Sequence, residues 1–213
     1  MNRNLIHGLM VTLLLISSAY PVQVGEPAPD FQATDSNGQV HKLSNERGKF
    51  VVLEWHNNGC PYTQKHYESG NMQRLQKEWT DKGVVWFTVI SSAQGQQGYV
   101  TAQQENEYLK QMKASPTAAL LDPQGEVGRL YSAKTTPHMF VINPAGVLIY
   151  DGAIDDKATT EQADIAGRKK LRLSGVGRSC GRQAGEHANQ SSIRLLGQVC
   201  PLRISRSSLS RDI

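Results

Sequence analysis

Cysteine is scarce in this chain, and its placement excludes several kinds of protein. The 213 residues contain three cysteines: Cys180 and Cys200 lie near the C-terminus, and Cys60 stands alone before them. A single cysteine cannot form a structural disulfide within the main part of the chain. Isolated histidines give no zinc or iron site its usual ligand spacing. We therefore expect no metal and no other cofactor.

Several other motifs are absent, among them a phosphate-binding loop and a Ser-His-Asp arrangement that could act as a catalytic triad.

The apolar run Leu9–Ile16 is shorter than the stretch that a transmembrane helix needs. It follows Arg3 and precedes Ser17-Ser18-Ala19, a pattern typical of a cleaved secretory signal peptide. We predict a signal peptide at 1–21, export to the periplasm or the medium, and no stable membrane insertion after cleavage. An uncleaved N-terminal anchor is the alternative.

The net charge of +4 is unevenly distributed. Residues 168–213 hold ten Lys or Arg and two Asp or Glu, which sum to +8, so the rest of the chain sums to −4. Because no basic face extends over the main part, we do not expect nucleic acid as a partner. Residues 168–213 also lack Phe, Tyr and Trp and show no sustained apolar period. They are predicted to form a disordered basic tail.

What remains is a cysteine at a strand-to-helix junction. The apolar run Phe50–Trp55 predicts a buried parallel strand, and the segment after Cys60 has helical spacing of its apolar residues. Pro61 suits the first position of that helix. Free backbone N–H groups and the helix dipole at this position favour the thiolate of Cys60. Since the position is also at the edge of a sheet, we expect the sulfur to be accessible.

A later segment, Thr135-Thr136-Pro137-His138, leads into the apolar run Met139–Ile142. A Gly-Cys-Pro between strand and helix, followed later by Thr-Pro before a strand, resembles the thioredoxin superfamily. Within it, Val24–Phe31 and Leu43–Lys49 resemble the first strand and next loop of the redoxin group (AhpC/TSA, peroxiredoxin-like). The resemblance implies an α/β thioredoxin-like fold over 22–167, with a central mixed β-sheet flanked by helices. It also implies a cis peptide bond at Pro137.

The expected order of elements is β-α-β-α-β-α-β-β. Ser69-Gly70 predicts a break in the first helix, and Thr101 with Gln104 predicts a capping box at the start of a later one. A final helix would begin near Asp164, where the apolar pattern stops. The C-terminal helix of the fold is therefore predicted to be missing.

A change of reading frame would explain the missing helix. One synonymous coding of Ile193–Cys200, shifted by one base, reads Tyr-Gly-Cys-Ser-Val-Lys-Tyr, which resembles the end of family members. The same one-base shift also yields sequences that resemble family members from two earlier stretches of the tail, in the order in which family members have them. We interpret 168–213 as an out-of-frame product that begins near Gly167–Lys170, and resequencing of the gene tests this interpretation.

The reactions open to Cys60 are attack on a peroxide oxygen or on a disulfide sulfur. Leu53 and Asn57 stand where peroxiredoxins have Pro and Thr or Ser, and Thr63 stands where thioredoxins have a second cysteine. We predict a thiol-dependent antioxidant oxidoreductase that reduces hydrogen peroxide or small hydroperoxides through a sulfenic acid at Cys60. An external thiol would be the reductant. The alternatives are a monothiol disulfide or sulfenate reductase, acting on small-molecule or protein substrates, and a non-catalytic or inactive module.

Five further residues are predicted to support the thiolate, three near Cys60 and two from the later segment: Asn57, Thr63, Lys65, Pro137 and His138. The alternative for His138 is an exposed rim histidine, and for Lys65 and His66 a solvated helix face. His56 is expected to fill a hydrogen-bonding gap. Trp55 and Trp79 are expected in the core.

Overall fold

The computed structural model describes residues 22–165 and the backbone of Cys200–Pro201. The predicted signal peptide and all but two residues of the predicted tail lie outside this part. The same holds for most of the region in which a C-terminal helix was predicted to be missing. Within the described part, no helix is both long enough and apolar enough to cross a membrane.

The described residues form one mixed sheet with the strand order β2-β1-β5-β4-β3-β7-β8. Its strands, in chain order, are β1 Gln32–Asp35, β2 Val40–Lys42, β3 Val51–Trp55, β4 Val85–Ile90, β5 Ala118–Leu121, β7 His138–Ile142 and β8 Leu148–Gly152. β3 and β5 run parallel to β4, and the other neighbours are antiparallel. Two short strands, β6 (Thr135–Thr136) and β9 (Cys200–Pro201), pair antiparallel apart from this sheet.

Four helices connect and flank the strands: α1 Pro61–Glu68, α2 Asn71–Thr80, α3 Ala102–Met112 and α4 Glu126–Leu130. Short 3₁₀ turns occupy Leu43–Glu46 and Gln162–Ile165. The predicted break at Ser69-Gly70 is confirmed, because Gly70 has a φ of 73° between α1 and α2. The predicted capping box is also confirmed, since the Thr101 side chain accepts from the Gln104 amide and the Gln104 side chain accepts from the Thr101 amide.

The central strands are buried on both faces, as the continuous apolar runs predict. One face packs Leu53, Trp55 and Phe87 against α4, and the other packs Val52 and Trp86 against α1 and α2. The tryptophan prediction is met: Trp55 is fully buried, and Trp79 packs partly buried on the core. This order of strands and helices confirms the predicted thioredoxin-like fold.

The start of the domain differs from the prediction. Residues 24–31 do not form a strand; a single antiparallel bridge joins Pro27 to Val147. Pro27 and Pro29 have no backbone N–H to donate to a ladder, which explains why pairing does not extend. The first strands are instead the β1–β2 hairpin, and β1 joins the sheet beside β5.

Candidate active site

Cys60 lies in a tight turn between β3 and α1. The Cys60 amide donates to the Asn57 carbonyl at 3.0 Å, and the Gly59 amide donates to the Asn57 side-chain Oδ1 at 2.9 Å. Cys60 is the N-cap of α1, Pro61 follows at the first helical position, and the Gln64 amide donates to the Cys60 carbonyl at 2.9 Å. The predicted strand–Gly-Cys-Pro–helix junction is therefore present.

The sulfur of Cys60 faces β6, the short strand that ends just before Pro137. Its Sγ donates to the Thr136 carbonyl oxygen at 3.2 Å, and the Thr136–Pro137 peptide bond is cis. A carbonyl oxygen is an acceptor, so this contact is a hydrogen bond only while the sulfur carries its proton. The backbone of Cys200 pairs with Thr136 on the edge of β6.

The expectation that the sulfur is accessible is wrong for this conformation. Cys60 has 0% of its surface exposed, and Thr136 is equally buried. The N-cap side chain does not bond to the first turn of α1, because the thiol is turned toward the Thr136 carbonyl instead. A reaction at this sulfur therefore requires the cover over it to move.

Thr63 lies on the first turn of α1, three residues after Cys60. Its side chain is fully buried, and its hydroxyl has no hydrogen-bond partner within the part of the chain described. A hydroxyl without a partner can donate to a thiolate once one forms. The predicted role of Thr63 stays a prediction that this arrangement accommodates.

Lys65 and His66 form a buried charged cluster with Asp155. The Lys65 Nζ lies 2.8 Å from Asp155 Oδ2, and His66 Nε2 lies 3.4 Å from the same oxygen. Burial alone would raise the pKa of Asp155, but hydrogen bonds from His66 and Lys65 hold it well below its usual range. The alternative interpretation of Lys65 and His66 as a solvated helix face is wrong, since both are buried. This cluster ties the segment after β8 to the helix that Cys60 begins.

His138 follows the cis-proline and pairs in register with Trp55 of β3. Its Nε2 lies 2.7 Å from Asp151 Oδ1, and its ring stacks on Phe140 with centroids 4.4 Å apart. With 14% of its side chain exposed, it is neither a free rim histidine nor a core residue.

Sequence reasoning missed a buried acid on the face of the sheet that α1 covers. Glu54 is fully buried in β3 and accepts from Trp86 Nε1 and Tyr67 Oη, each at 2.8 Å, and from Gln76 Nε2 at 3.1 Å. Burial raises the pKa of this carboxyl from 4.5 to about 7. The signal was a glutamate inside an apolar strand that is covered on both faces, where every side chain must be buried.

Two further buried groups lie beside this acid. Neither ring nitrogen of His56 has a hydrogen-bond partner within the described residues, so the prediction that His56 fills a hydrogen-bonding gap is wrong. Its ring contacts those of Tyr67 and Tyr108, and burial lowers its pKa from 6.5 to about 3. Glu105 on α3 is fully buried with no partner in the same range, and burial and the charge of Glu54 raise its pKa to about 7.

The described residues contain no group of three or more His, Cys, Asp or Glu side chains placed to hold a metal ion.

The sheet is thioredoxin-like, one cysteine begins its first helix, and the strand that precedes the cis-proline lies against the sulfur. These features define a thioredoxin-fold protein of the thiol oxidoreductase class. Residues 24–151 match the model of the AhpC/TSA family. The chain belongs to that family.

Two named relatives are similar to this chain in sequence. The chain is similar to the thioredoxin-like protein YneN of Bacillus subtilis, with 26% identity over 146 residues, 68% of this chain and 81% of that protein. It is also similar to the thiol-disulfide oxidoreductase ResA of Geobacillus kaustophilus, with 29% identity over 126 residues, 54% of this chain and 72% of that protein.

Solved structures support the fold. A hypothetical protein of Sinorhizobium meliloti 1021 superposes with a TM-score of 0.67 at 17% identity, covering 88% of this chain and 98% of that one. A putative thiol:disulfide interchange protein DsbE of Chlorobium tepidum superposes with a TM-score of 0.50 at 25% identity, covering 62% of this chain and 86% of that one.

Proposed function

We propose that the protein is a monothiol oxidoreductase that carries out thiol–disulfide exchange through Cys60. The observation that carries the proposal is the contact between the Cys60 sulfur and the carbonyl of Thr136, beside the cis-proline. Cys60 is the one cysteine of residues 22–165, and it stands at the start of α1 with its sulfur toward β6. The names of ResA and DsbE, given to similar proteins, support the same reaction class.

The reaction has two exchange steps. The Cys60 thiolate attacks one sulfur of a substrate disulfide, forms a mixed disulfide with it and releases the other sulfur as a thiolate. An external thiol, ionised, then attacks the mixed disulfide, takes over the substrate sulfur and returns Cys60 to its thiolate. The external thiol is needed because Thr63 occupies the position where a second cysteine would resolve the mixed disulfide internally. After these two steps at Cys60, a second equivalent of the external thiol, ionised, attacks the disulfide between the substrate sulfur and the first external thiol. The substrate then leaves as two thiols, and the two external thiols are joined in a disulfide.

Reduction of hydroperoxides is the second candidate, and the match to the AhpC/TSA family favours it. The Cys60 thiolate would attack the terminal oxygen of ROOH and become a sulfenic acid, with release of ROH after protonation. An external thiol would then convert the sulfenic acid to a mixed disulfide and water, and a second thiol would release Cys60. Leu53 and Asn57, at positions where peroxiredoxins have Pro and Thr or Ser, argue for the first candidate.

The predicted supporting residues have distinct roles in this proposal. The buried Thr63 hydroxyl donates to the thiolate, and Asn57 holds the turn through its bond to the Gly59 amide. Pro137 keeps the Thr136 carbonyl against the sulfur. Lys65 anchors the helix that Cys60 begins through Asp155, and His138 anchors the strand after Pro137 through Asp151.

Turnover on two substrates tests the proposal. The background variant Cys180→Ser with Cys200→Ser leaves Cys60 as the single thiol, and Cys60→Ser in that background is the matched control. We expect thiol-dependent reduction of glutathione disulfide that disappears in the control. Equal turnover by both proteins would refute a role for Cys60. Turnover on hydrogen peroxide alone would favour the second candidate, and a folded protein inactive on both would indicate a non-catalytic module.

We also propose that the protein is exported through the segment at 1–21, to the periplasm or the medium. Its support is the sequence pattern of that segment. Cell fractionation with an antibody against the domain tests it, and recovery of the full-length chain with the cytoplasmic fraction would contradict it.

A further inference from the structure

The loop that follows β4 lies on the Cys60 turn. Gly98 has a φ of 85°, and a Cβ there would lie 2.5 Å from Asn57 Cγ and Nδ2 and 2.7 Å from Asn57 Oδ1. No real Cβ contact is that short, so the approach of this loop to Asn57 requires glycine. One residue earlier, Gln97 Nε2 donates to the Gly59 carbonyl at 3.2 Å.

These contacts hold both sides of the turn. Asn57 is buried under Gly98, and its Oδ1 accepts from the Gly59 amide. Gln97 binds the carbonyl of the same Gly59 from outside. Any outward movement of the turn that carries Cys60 therefore has to break the bond from Gln97 or displace Asn57 from Gly98.

Movement of this kind is what the buried sulfur requires. Cys60 comes directly after Gly59 and has no exposed surface in the resting structure. Its side chain makes one hydrogen bond, from the thiol to the Thr136 carbonyl, and a single bond from a neutral donor is a small restraint. The contacts with the loop after β4 add a second set of restraints on the same turn.

We infer that Gly98 and Gln97 are positioning residues that hold the Asn57–Cys60 turn closed and so set how often the Cys60 thiol becomes accessible. The inference rests on the proposed function only in taking Cys60 as the reacting group. It assigns the loop after β4 a role in the rate at which substrates of any chemical class reach the sulfur.

A matched pair of glycine substitutions tests the inference. Gly98→Ala adds a methyl group at a positive φ and against Asn57. Gly95→Ala adds the same methyl group at a φ of 79° with nothing within 4 Å, so it has the backbone strain without the contact. Both are made in the Cys180→Ser, Cys200→Ser background, and the rate of Cys60 alkylation by iodoacetamide is measured beside the urea midpoint.

We expect Gly98→Ala to raise the alkylation rate by about tenfold over Gly95→Ala, the effect of losing roughly one hydrogen bond that holds the turn. Asn57→Ala removes the three atoms that lie nearest the added methyl group, so in that background the two glycine variants should react alike. Equal rates for Gly98→Ala and Gly95→Ala, or a difference that persists in the Asn57→Ala background, would overturn the inference.

Gln97→Ala provides a second test that does not depend on the folding of Gly98→Ala. It removes the bond to the Gly59 carbonyl without backbone strain, so the alkylation rate of Cys60 should rise about threefold. Gln94→Ala is the control, and an unchanged rate in Gln97→Ala would count against the inference. Alkylation reports on access to the sulfur and on its ionisation, and it needs no disulfide turnover. Faster alkylation in variants that do not reduce disulfides would therefore contradict the proposed function and leave this inference standing.

Discussion

Replacing Glu54 with glutamine should remove a cost of folding that grows with pH. Glu54 accepts hydrogen bonds from four side chains, none of them charged: Tyr67, Gln76, Trp86 and Thr88. The basic group that the structure pairs with it is His56, whose Nδ1 lies 3.8 Å from Glu54 Oε1. Burial lowers the pKa of His56 to about 3, so this ring is neutral above that pH and does not balance a charged carboxylate. Glutamine has nearly the same shape and stays neutral at every pH, so the substitution isolates the charge.

The size of the effect comes from the pKa of this carboxyl, which burial raises from 4.5 to about 7. Because the acid is weaker when folded, the folded state keeps a proton that the unfolded state has lost. The contribution of Glu54 to stability is therefore full below pH 4.5 and falls as the pH rises to 7, after which it stays constant. A difference of 2.5 in pKa corresponds to about 3 kcal/mol in total.

Neighbouring groups require a difference measurement. The pKa of His56 is lowered to about 3, so that residue adds stability as the pH rises toward 6.5, while Glu105 changes in the same direction as Glu54. Both groups are present in the parent and in Glu54→Gln. Subtracting the two unfolding free energies therefore removes most of their contribution and leaves the term from Glu54.

The assay is urea unfolding of both proteins at several pH values between 5 and 8. We expect the unfolding free energy of Glu54→Gln, relative to that of the parent, to rise by about 2–3 kcal/mol between pH 5 and pH 8, whatever the difference at pH 5. Hydrogen-bond changes caused by the amide shift the difference by a constant and do not affect its slope. A difference that is flat with pH, or that falls, would refute the assignment of a protonated, buried Glu54.

Three further predictions concern the helices and the site. Lys65→Met removes the nearer of the two basic groups beside the Asp155 carboxylate, leaves His66, and should lower the unfolding free energy by about 2–3 kcal/mol in urea. Asp155→Asn in the same chain should recover part of that loss, and no recovery would contradict the pairing. Thr101→Ala removes the cap of α3 and should cost about 1 kcal/mol in thermal unfolding, an unchanged midpoint being the contrary result. Thr63→Val should leave stability unchanged or higher, because it removes a buried hydroxyl with no partner in the described part, yet slow the reaction of Cys60 with a disulfide by about tenfold in stopped flow; an unaltered rate would exclude the hydroxyl as a donor to the thiolate.

The parts of the fold that sequence predicts best are those with strong local signals. The apolar runs of β3 and β4, the break at Ser69-Gly70 and the Thr101 capping box each depend on residues within a few positions of one another. The β1–β2 hairpin was missed because its strands are short and partly exposed, with a burial pattern set by pairing to β5 far along the chain.

In the candidate site, too, sequence predicts the features with a local signal and misses the contacts between residues far apart in the chain. The position of Cys60 at a helix start follows from a short motif, whereas the cis bond at Pro137 was predicted from the resemblance to the thioredoxin superfamily; both are present. The partner of Lys65 is 90 positions away in the chain and has no local signal. The burial of Cys60 and the contact of Gly98 with Asn57 likewise depend on how separate loops meet above the sheet.

The most direct test of the account is to trap the mixed disulfide at Cys60. The reduced full-length chain is incubated with excess glutathione disulfide, quenched with acid and mapped by peptide mass spectrometry. The account predicts one glutathionyl group on the peptide that contains Cys60, removed by added thiol and absent from Cys60→Ser. Modification confined to Cys180 or Cys200, with Cys60 recovered as the unmodified thiol, would contradict it.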